Sequence, residues 1–329
     1  TEPLYNLHIN GGVIFAGTTA AEDCTAIGGG GNGFGQVIIN GGTVTAVATT
    51  AGTAIGGGMG HSAEGGPGDV TITGGNVYAY NFRNNWGIPS SAIGGGGSYS
   101  ARASWGTVNI SGGYIYAHSV LGTAIGGGSS KNISGGNATI NITGGHIVAK
   151  SEEACGIGGG TGGSNEGVNG GSATINITGD PIIRTGSIGG GKTNNSTGKI
   201  GHANITISGG DIQAQFVMAK GAATDPTFSM TDGLIRNSTT GRQNDDPDFP
   251  HTQDKGGAVY LEAGTFTMTG GEIRNCSSDA GGAIYIKGQG DTRFTMSGGK
   301  ISECISNTSG GAVHLENGSV YLNGGEISN

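Results

Sequence analysis

One short unit recurs eleven times along the chain, and this recurrence constrains the fold more than any other feature. Its clearest copy, residues 139–149, reads Thr-Ile-Asn-Ile-Thr-Gly-Gly-His-Ile-Val-Ala. Aligned on the first residue of the Gly-Gly step, the copies fall at Gly11, Gly41, Gly74, Gly112, Gly144, Gly179, Gly209, Asp232, Gly270, Gly298 and Gly324. Four residues earlier stand Leu7, Val37, Val70, Val108, Ile140, Ile175, Ile205, Phe228, Phe266, Phe294 and Val320. Two residues earlier, every copy again carries Ile, Met or Leu, from Ile9 to Leu322. Three residues after the anchor the column runs Ile14, Val44, Val77, Ile115, Ile147, Ile182, Ile212, Ile235, Ile273, Ile301 and Ile327. The residues between are mostly Thr, Asn, Ser or charged. Alternation with period two on both sides of a glycine break predicts two short strands joined by a bend, each burying one face. A spacing of roughly thirty residues predicts stacked repeats.

A chain of 329 residues would ordinarily divide into two domains. A repeat array need not, because each unit contacts only its neighbours, so residues 1–329 read as one domain. Glycine supplies 74 residues, close to the composition of a disordered chain, yet disorder would not hold three apolar columns in register. The net charge of −8 and the lack of a basic patch argue against nucleic acid as a partner. No apolar run is long enough to span a bilayer. The chain opens and closes inside a repeat, which reads as a monomeric fragment of a longer secreted or cell-wall-attached protein.

The repeats come in two dialects. To about residue 200 each unit is paired with a second motif, as in Ala26-Ile27-Gly28-Gly29-Gly30 and Ala124-Ile125-Gly126-Gly127-Gly128. From residue 201 the partner becomes Gly256-Gly257-Ala258-Val259-Tyr260, Gly281-Gly282-Ala283-Ile284-Tyr285 and Gly310-Gly311-Ala312-Val313-His314. The residue five after the anchor switches from Ala to mostly Asn (Asn237, Asn275, Asn329), which reads as a stacking device at a turn. Each repeat then holds about three strands and three turns, and no segment has helical periodicity. The expected fold is all-β, a single right-handed parallel β-helix of about eleven coils. Cys276 and Cys304 both lie six residues after their anchors, which would stack them about 4.8 Å apart. That spacing admits a disulfide or a ladder of free thiols.

These motifs, Thr-Met-Thr-Gly-Gly-Glu-Ile with Gly-Gly-Ala-Val-Tyr and Ile-Gly-Gly-Gly with Ile-Thr-Gly-Gly-His-Ile, resemble the β-helix repeats of large secreted or wall-attached proteins of Gram-positive and bifidobacterial type. Such repeats occur in adhesins and stalks. The chain also resembles the β-helix of glycoside hydrolase family 136, the lacto-N-biosidases. That resemblance implies a glycosidase whose two catalytic aspartates map onto Asp225 and Asp232.

Functional sites are expected where a regular pattern fails. Residues 80–106 belong to a coil with an anchor spacing of 38 and contain both tryptophans, Trp86 and Trp105, with Phe82 and Tyr99. Tyr78, Tyr80, Tyr114, Tyr116, His118 and His146 point outward on the strands beside them. Aromatic faces stack on sugar rings, so these residues are candidates for substrate binding; cross-strand pairing on an outer sheet face is the plainer alternative. Residues 238–255 form the other long insertion. It is polar and carries Arg242 and His251 with four aspartates. It reads as a substrate-gripping loop, a calcium loop built from hard oxygen ligands, or a solvated surface loop. No other metal or cofactor is expected. The shortest coil holds Asp225 and Asp232, and Gly179-Asp180-Pro181 is a comparable break. The two insertions leave the same turn five coils apart and would wall a groove whose floor carries Glu152 and Glu153.

The expected function is hydrolysis of a neutral oligosaccharide or glycan. Asp225 and Asp232 would be the carboxyl pair, with Glu152 and Glu153 in reserve, at the separations such chemistry needs. The competing reading is a non-catalytic glycan-binding or spacer module of a bacterial surface adhesin.

Overall fold

The computed structural model describes residues 6–18, 24–49, 52–82, 89–194, 197–218, 225–238 and 255–328. Among the described residues there are 25 strands and no helix, so the protein is all-β. Every strand pairing is parallel, and 23 of the strands join one hydrogen-bonded network. Ser277–Ala280 pairs separately with Ile305–Ser309.

Three ladders carry this network. In the first, Leu7 pairs with Val37, Val37 with Val70, and so on through Phe294 and Val320, so all eleven copies of the repeat are in register. The second ladder runs through the residues after the bend, from Ile14 and Val44 to Ile301 and Ile327. The third joins Ile27, Ile55, Ile93, Ile125, Ile157 and Ile188. It then passes through Phe216 to Val259, Ile284 and Val313. The two dialects therefore occupy one ladder, and Phe216 is the splice between them. Side chains on one face of all three ladders meet in a single core, where Val70, Ile110, Ile147, Ile205 and Phe266 are buried.

The Ile-Gly-Gly-Gly motif has a steric origin. Gly28, Gly56, Gly94, Gly126 and Gly158 adopt φ between 132° and 151°. A Cβ at any of them would lie 1.9–2.1 Å from the carbonyl oxygen of its counterpart in the next repeat. Only glycine permits that backbone approach. Past the splice the column becomes Val217, Tyr260, Tyr285 and His314. Tyr260 and Tyr285 stack at 5.8 Å and Tyr285 and His314 at 4.9 Å, covered by Ala280 on the outer strand pair. Inside the core the same half of the chain carries a second stack, Phe216, Phe228, Phe266 and Phe294, with centroids 4.3–4.9 Å apart.

Two expectations need amendment. Ile182 is not the core residue of its copy: it is 49% exposed, and Ile183, 1% exposed, pairs with Ile147 and Ile212. The Asp180-Pro181 insertion adds one residue to the bend, and with a side-chain period of two, one residue turns every side chain to the opposite face. The Asn column is chosen for its backbone. Asn237, Asn275 and Glu303 hold φ of 52°, 53° and 54°, a left-handed region that Asn tolerates better than most residues. The amide ladders lie elsewhere, where Asn176 donates to Asn141 and Asn141 to Asn109, at 2.9 and 2.8 Å. Cys276 and Cys304 are both free thiols.

Candidate functional site

The aromatic residues expected to act together divide among three places. Tyr78 and Tyr80 lie on Asn76–Asn81, and Tyr114, Tyr116 and His118 on the adjacent Tyr114–Ser119. The register sets Tyr116 beside Tyr78 and His118 beside Tyr80. Because alternate residues of a strand share a face, Val77, Ala79, Ile115 and Ala117 go to the core and the rings stand outside. They form one tract. Tyr80 lies 5.6 Å from Tyr116 and 5.8 Å from Phe82, Tyr78 lies 5.9 Å from Tyr114, and Tyr114 meets His146 edge-on at 5.3 Å. Phe82 meets His118 edge-on at 6.1 Å.

Trp105 and Tyr99 do not join them. Trp105 precedes the strand Gly106–Ile110 and packs at 6.2 Å against Phe34, which holds the corresponding place before Gly35–Ile39. Tyr99 stacks on His61 at 5.2 Å, beneath the Lys131 ammonium at 4.8 Å, and covers Met59. Both belong to turns after the glycine motif, a different side of the repeat. Trp86, Arg242 and His251 lie outside the described residues, as does most of the long insertion at 238–255 that was expected to wall a groove.

The turn expected as the groove floor is built by hydroxyls. Ser119 Oγ donates to the carbonyl of Ser90 and accepts from Gly122 N–H. Ser151 Oγ donates to the carbonyl of Gly122 and accepts from Ala154 N–H. Glu152 sits on this turn with its Oε1 3.1 Å from His118 Nε2, which ties it to the aromatic tract. Glu153 is exposed beside it.

The two aspartates assigned as a catalytic pair line separate concavities. Asp225, exposed, borders one of about 570 Å³ with Asp291, Arg293 and Tyr321. Asp232 borders another of about 640 Å³, lined also by Asp180, Pro181, Ile182, Asp211, Leu234 and Glu272. Between Asp225 and Asp232 the chain is an extended strand from Thr227 onward.

This second concavity brings together two breaks that lie far apart in sequence, Gly179-Asp180-Pro181 and Asp232-Gly233. Asp232, which stands where the other copies carry the first glycine, accepts the N–H of the next residue, Gly233, on its Oδ1 at 2.7 Å. Arg236 grips Asp211 with two bonds, Nε to Oδ1 at 2.7 Å and Nη2 to Oδ2 at 2.8 Å. The Asp211 carboxylate beside it raises the guanidinium pKa. Glu272 accepts from Ser302 Oγ at 3.3 Å, with Arg274 at 3.9 Å. A bidentate pair of this kind fixes carboxylate geometry as well as charge.

Register joins the two features. The outward column two residues after each anchor, and three after Gly179 where the bend holds one extra residue, runs Tyr114, His146, then Ile182, Asp211, Leu234 and Glu272. The aromatic tract therefore leads strand by strand into the carboxylate concavity, each step about 4.8 Å. Asp211 and Glu272 escaped the sequence reading because they occur in regular copies of the repeat, and Arg236 because attention in its copy fell on the break at Asp232 alone. Reading the outward columns beside the inward ones would have found them. Among the described residues no three His, Cys, Asp or Glu are grouped to hold a metal ion, and no helix is long and apolar enough to cross a membrane.

No family model, curated protein or solved structure matches the chain.

Proposed function

We propose that the chain is a right-handed parallel β-helix of an extracellular protein, and that its outer face binds a neutral oligosaccharide or glycan. Three parallel ladders climbing in repeat order support the β-helix. Parallel strands joined through a crossover are right-handed in nearly all proteins, which supports the hand. The observation that carries the glycan reading is the column continuity from Tyr114 and His146 to Asp211 and Glu272. Ring faces stack on the apolar faces of sugars, and carboxylates accept hydrogen bonds from their hydroxyls. The net charge of −8 suits a neutral ligand better than an acidic polymer.

Glycoside hydrolysis is the second reading. It is favoured by the gathering of Asp180, Asp211, Asp232 and Glu272 around one concavity at the end of the aromatic tract. Asp211, held by Arg236, would serve as the ionised carboxylate, and Asp232 as its partner.

The deciding experiment titrates the protein with a panel of neutral oligosaccharides by calorimetry and analyses the same mixtures for hydrolysis products. The expected result is binding that falls at least tenfold in Tyr116→Ala and Tyr80→Ala. Product formation abolished by Asp232→Asn, with binding kept, would make the protein a hydrolase. Binding unaffected by either tyrosine substitution would remove the aromatic tract as the site.

A further inference from the structure

Cys276 and Cys304 are placed to become one covalent link between successive coils, and this inference stands apart from the glycan reading. Ile273 pairs with Ile301, Arg274 with Ser302, and Ser277 with Ile305, a constant offset of 28 residues on both sides of the cysteines. Cys276 and Cys304 therefore oppose each other directly. The amide of Ile305 donates to the Cys276 carbonyl at 3.0 Å, which locks the register at that point. Opposed residues on parallel neighbours have Cα atoms about 4.8 Å apart, inside the roughly 4.4–6.8 Å that a disulfide spans.

Both side chains turn into the core, at 0% and 2% exposure. The same position one coil earlier is Ser238, whose Oγ donates to the carbonyl of Ala214 at 2.7 Å and accepts its N–H at 3.0 Å. A hydroxyl at this turn thus has a backbone partner on both lone pair and proton. The two thiols turn toward backbone carbonyls two residues back, Arg274 and Ser302, with Cys304 also 3.9 Å from the Ile273 carbonyl of the preceding repeat, and toward one another. The Cys276–Cys304 hydrogen bond and burial push the Cys276 thiol well up, and the same bond draws Cys304 down.

We propose that Cys276 and Cys304 form a disulfide when the chain folds against a small-molecule disulfide oxidant such as oxidised glutathione. The Cys304 thiolate attacks one glutathione sulfur, forming a mixed disulfide and releasing one glutathione thiolate. Cys276 gives its proton to solvent and attacks the Cys304 sulfur, releasing the second glutathione. Two cysteine S–H bonds are lost, one S–S bond forms, and the two electrons reduce oxidised glutathione to two thiols. Because both sulfurs are sealed in the folded chain, exchange takes place while the strands around them are open. The product ties the coil of Gly270 to the coil of Gly298.

The test refolds the chain in buffer containing oxidised glutathione, alkylates remaining thiols in denaturant, and maps tryptic peptides without reduction. Trypsin places Cys276 in residues 275–287 and Cys304 in residues 301–329. The expected result is those two peptides joined, two hydrogens lighter than their sum, with Cys24 and Cys155 alkylated. The oxidised protein should melt a few degrees above the reduced one, and the gap should vanish in Cys304→Ser. Alkylation of both Cys276 and Cys304, glutathione retained on either, or a link from either to Cys24 or Cys155 would overturn the proposal.

Discussion

Glycines of the recurring motif have unlike consequences in different copies, and the difference is steric. Gly94 holds φ of 132°, and a Cβ there would lie 2.0 Å from the Gly126 carbonyl oxygen. Gly30, third in the same motif two coils earlier, would place a Cβ with nothing within 4 Å. Gly94→Ala should therefore cost at least about 2 kcal/mol, since the strained backbone and the neighbouring coil must both yield. Gly30→Ala should change stability by no more than about 0.5 kcal/mol. Denaturant unfolding of the two variants checks this, and equal losses would mean that the motif is not set by close approach. The spacing of the motif was plain in the sequence. In which copy a given glycine is indispensable was not, because that depends on a carbonyl of the neighbouring copy: the third glycine is open at Gly30, whereas a Cβ at Gly96 would lie 1.9 Å from the Gly58 carbonyl oxygen.

Two aromatic ladders have opposite surroundings. Phe266 is stacked between Phe228 and Phe294 in the core, fully buried. Tyr116 stands on the outer face beside Tyr80, half-buried. Phe266→Ala should cost about 3–5 kcal/mol through lost burial and the cavity left behind. Tyr116→Ala should cost about 1 kcal/mol or less, the scale of a cross-strand pair. Thermal or chemical unfolding separates the two. A loss at Tyr116 as large as that at Phe266 would mean that the tract is a core element, not a binding surface. Period-two alternation assigned each ring to its face. It left unstated that the Tyr114 column continues into Ile182, Asp211 and Glu272, because the Asp180-Pro181 insertion shifts the apparent register by one residue.

At the scale of the molecule, a repeat array has a stability that is a sum over repeats and the interfaces between them. Copies with neighbours on both sides, such as those of Ile115 and Ile147, keep their core side chains fully buried, whereas Leu7, Leu322 and Ile327, at inward positions of the outermost copies, are exposed. Native-state hydrogen exchange should then be graded. Amides of Tyr114–Ser119 should be the slowest, and those of Asn6–Ile9 and Ser319–Ser328 the fastest, with a spread of several orders of magnitude. Uniform protection would mean that the chain opens as one cooperative unit. Mass spectrometry of exchanged peptides reads the gradient directly.

The eleven-fold repeat, the all-β class and nearly every inward residue were legible in the sequence, because a parallel ladder demands the same kind of side chain at the same place in each copy. The first ladder is in register at each position that its apolar columns named. The site was legible only in part. Tyr78, Tyr80, Tyr114, Tyr116 and His146 do converge, but Trp105 and Tyr99 go to other turns, and Asp225 and Asp232 border different concavities. Outward positions are free of the core's constraint, so their identity follows no period that the sequence alone could display. Only the pairing of the strands decided which of them are neighbours, setting Asp180, Asp211 and Asp232 around one concavity, and Cys276 opposite Cys304.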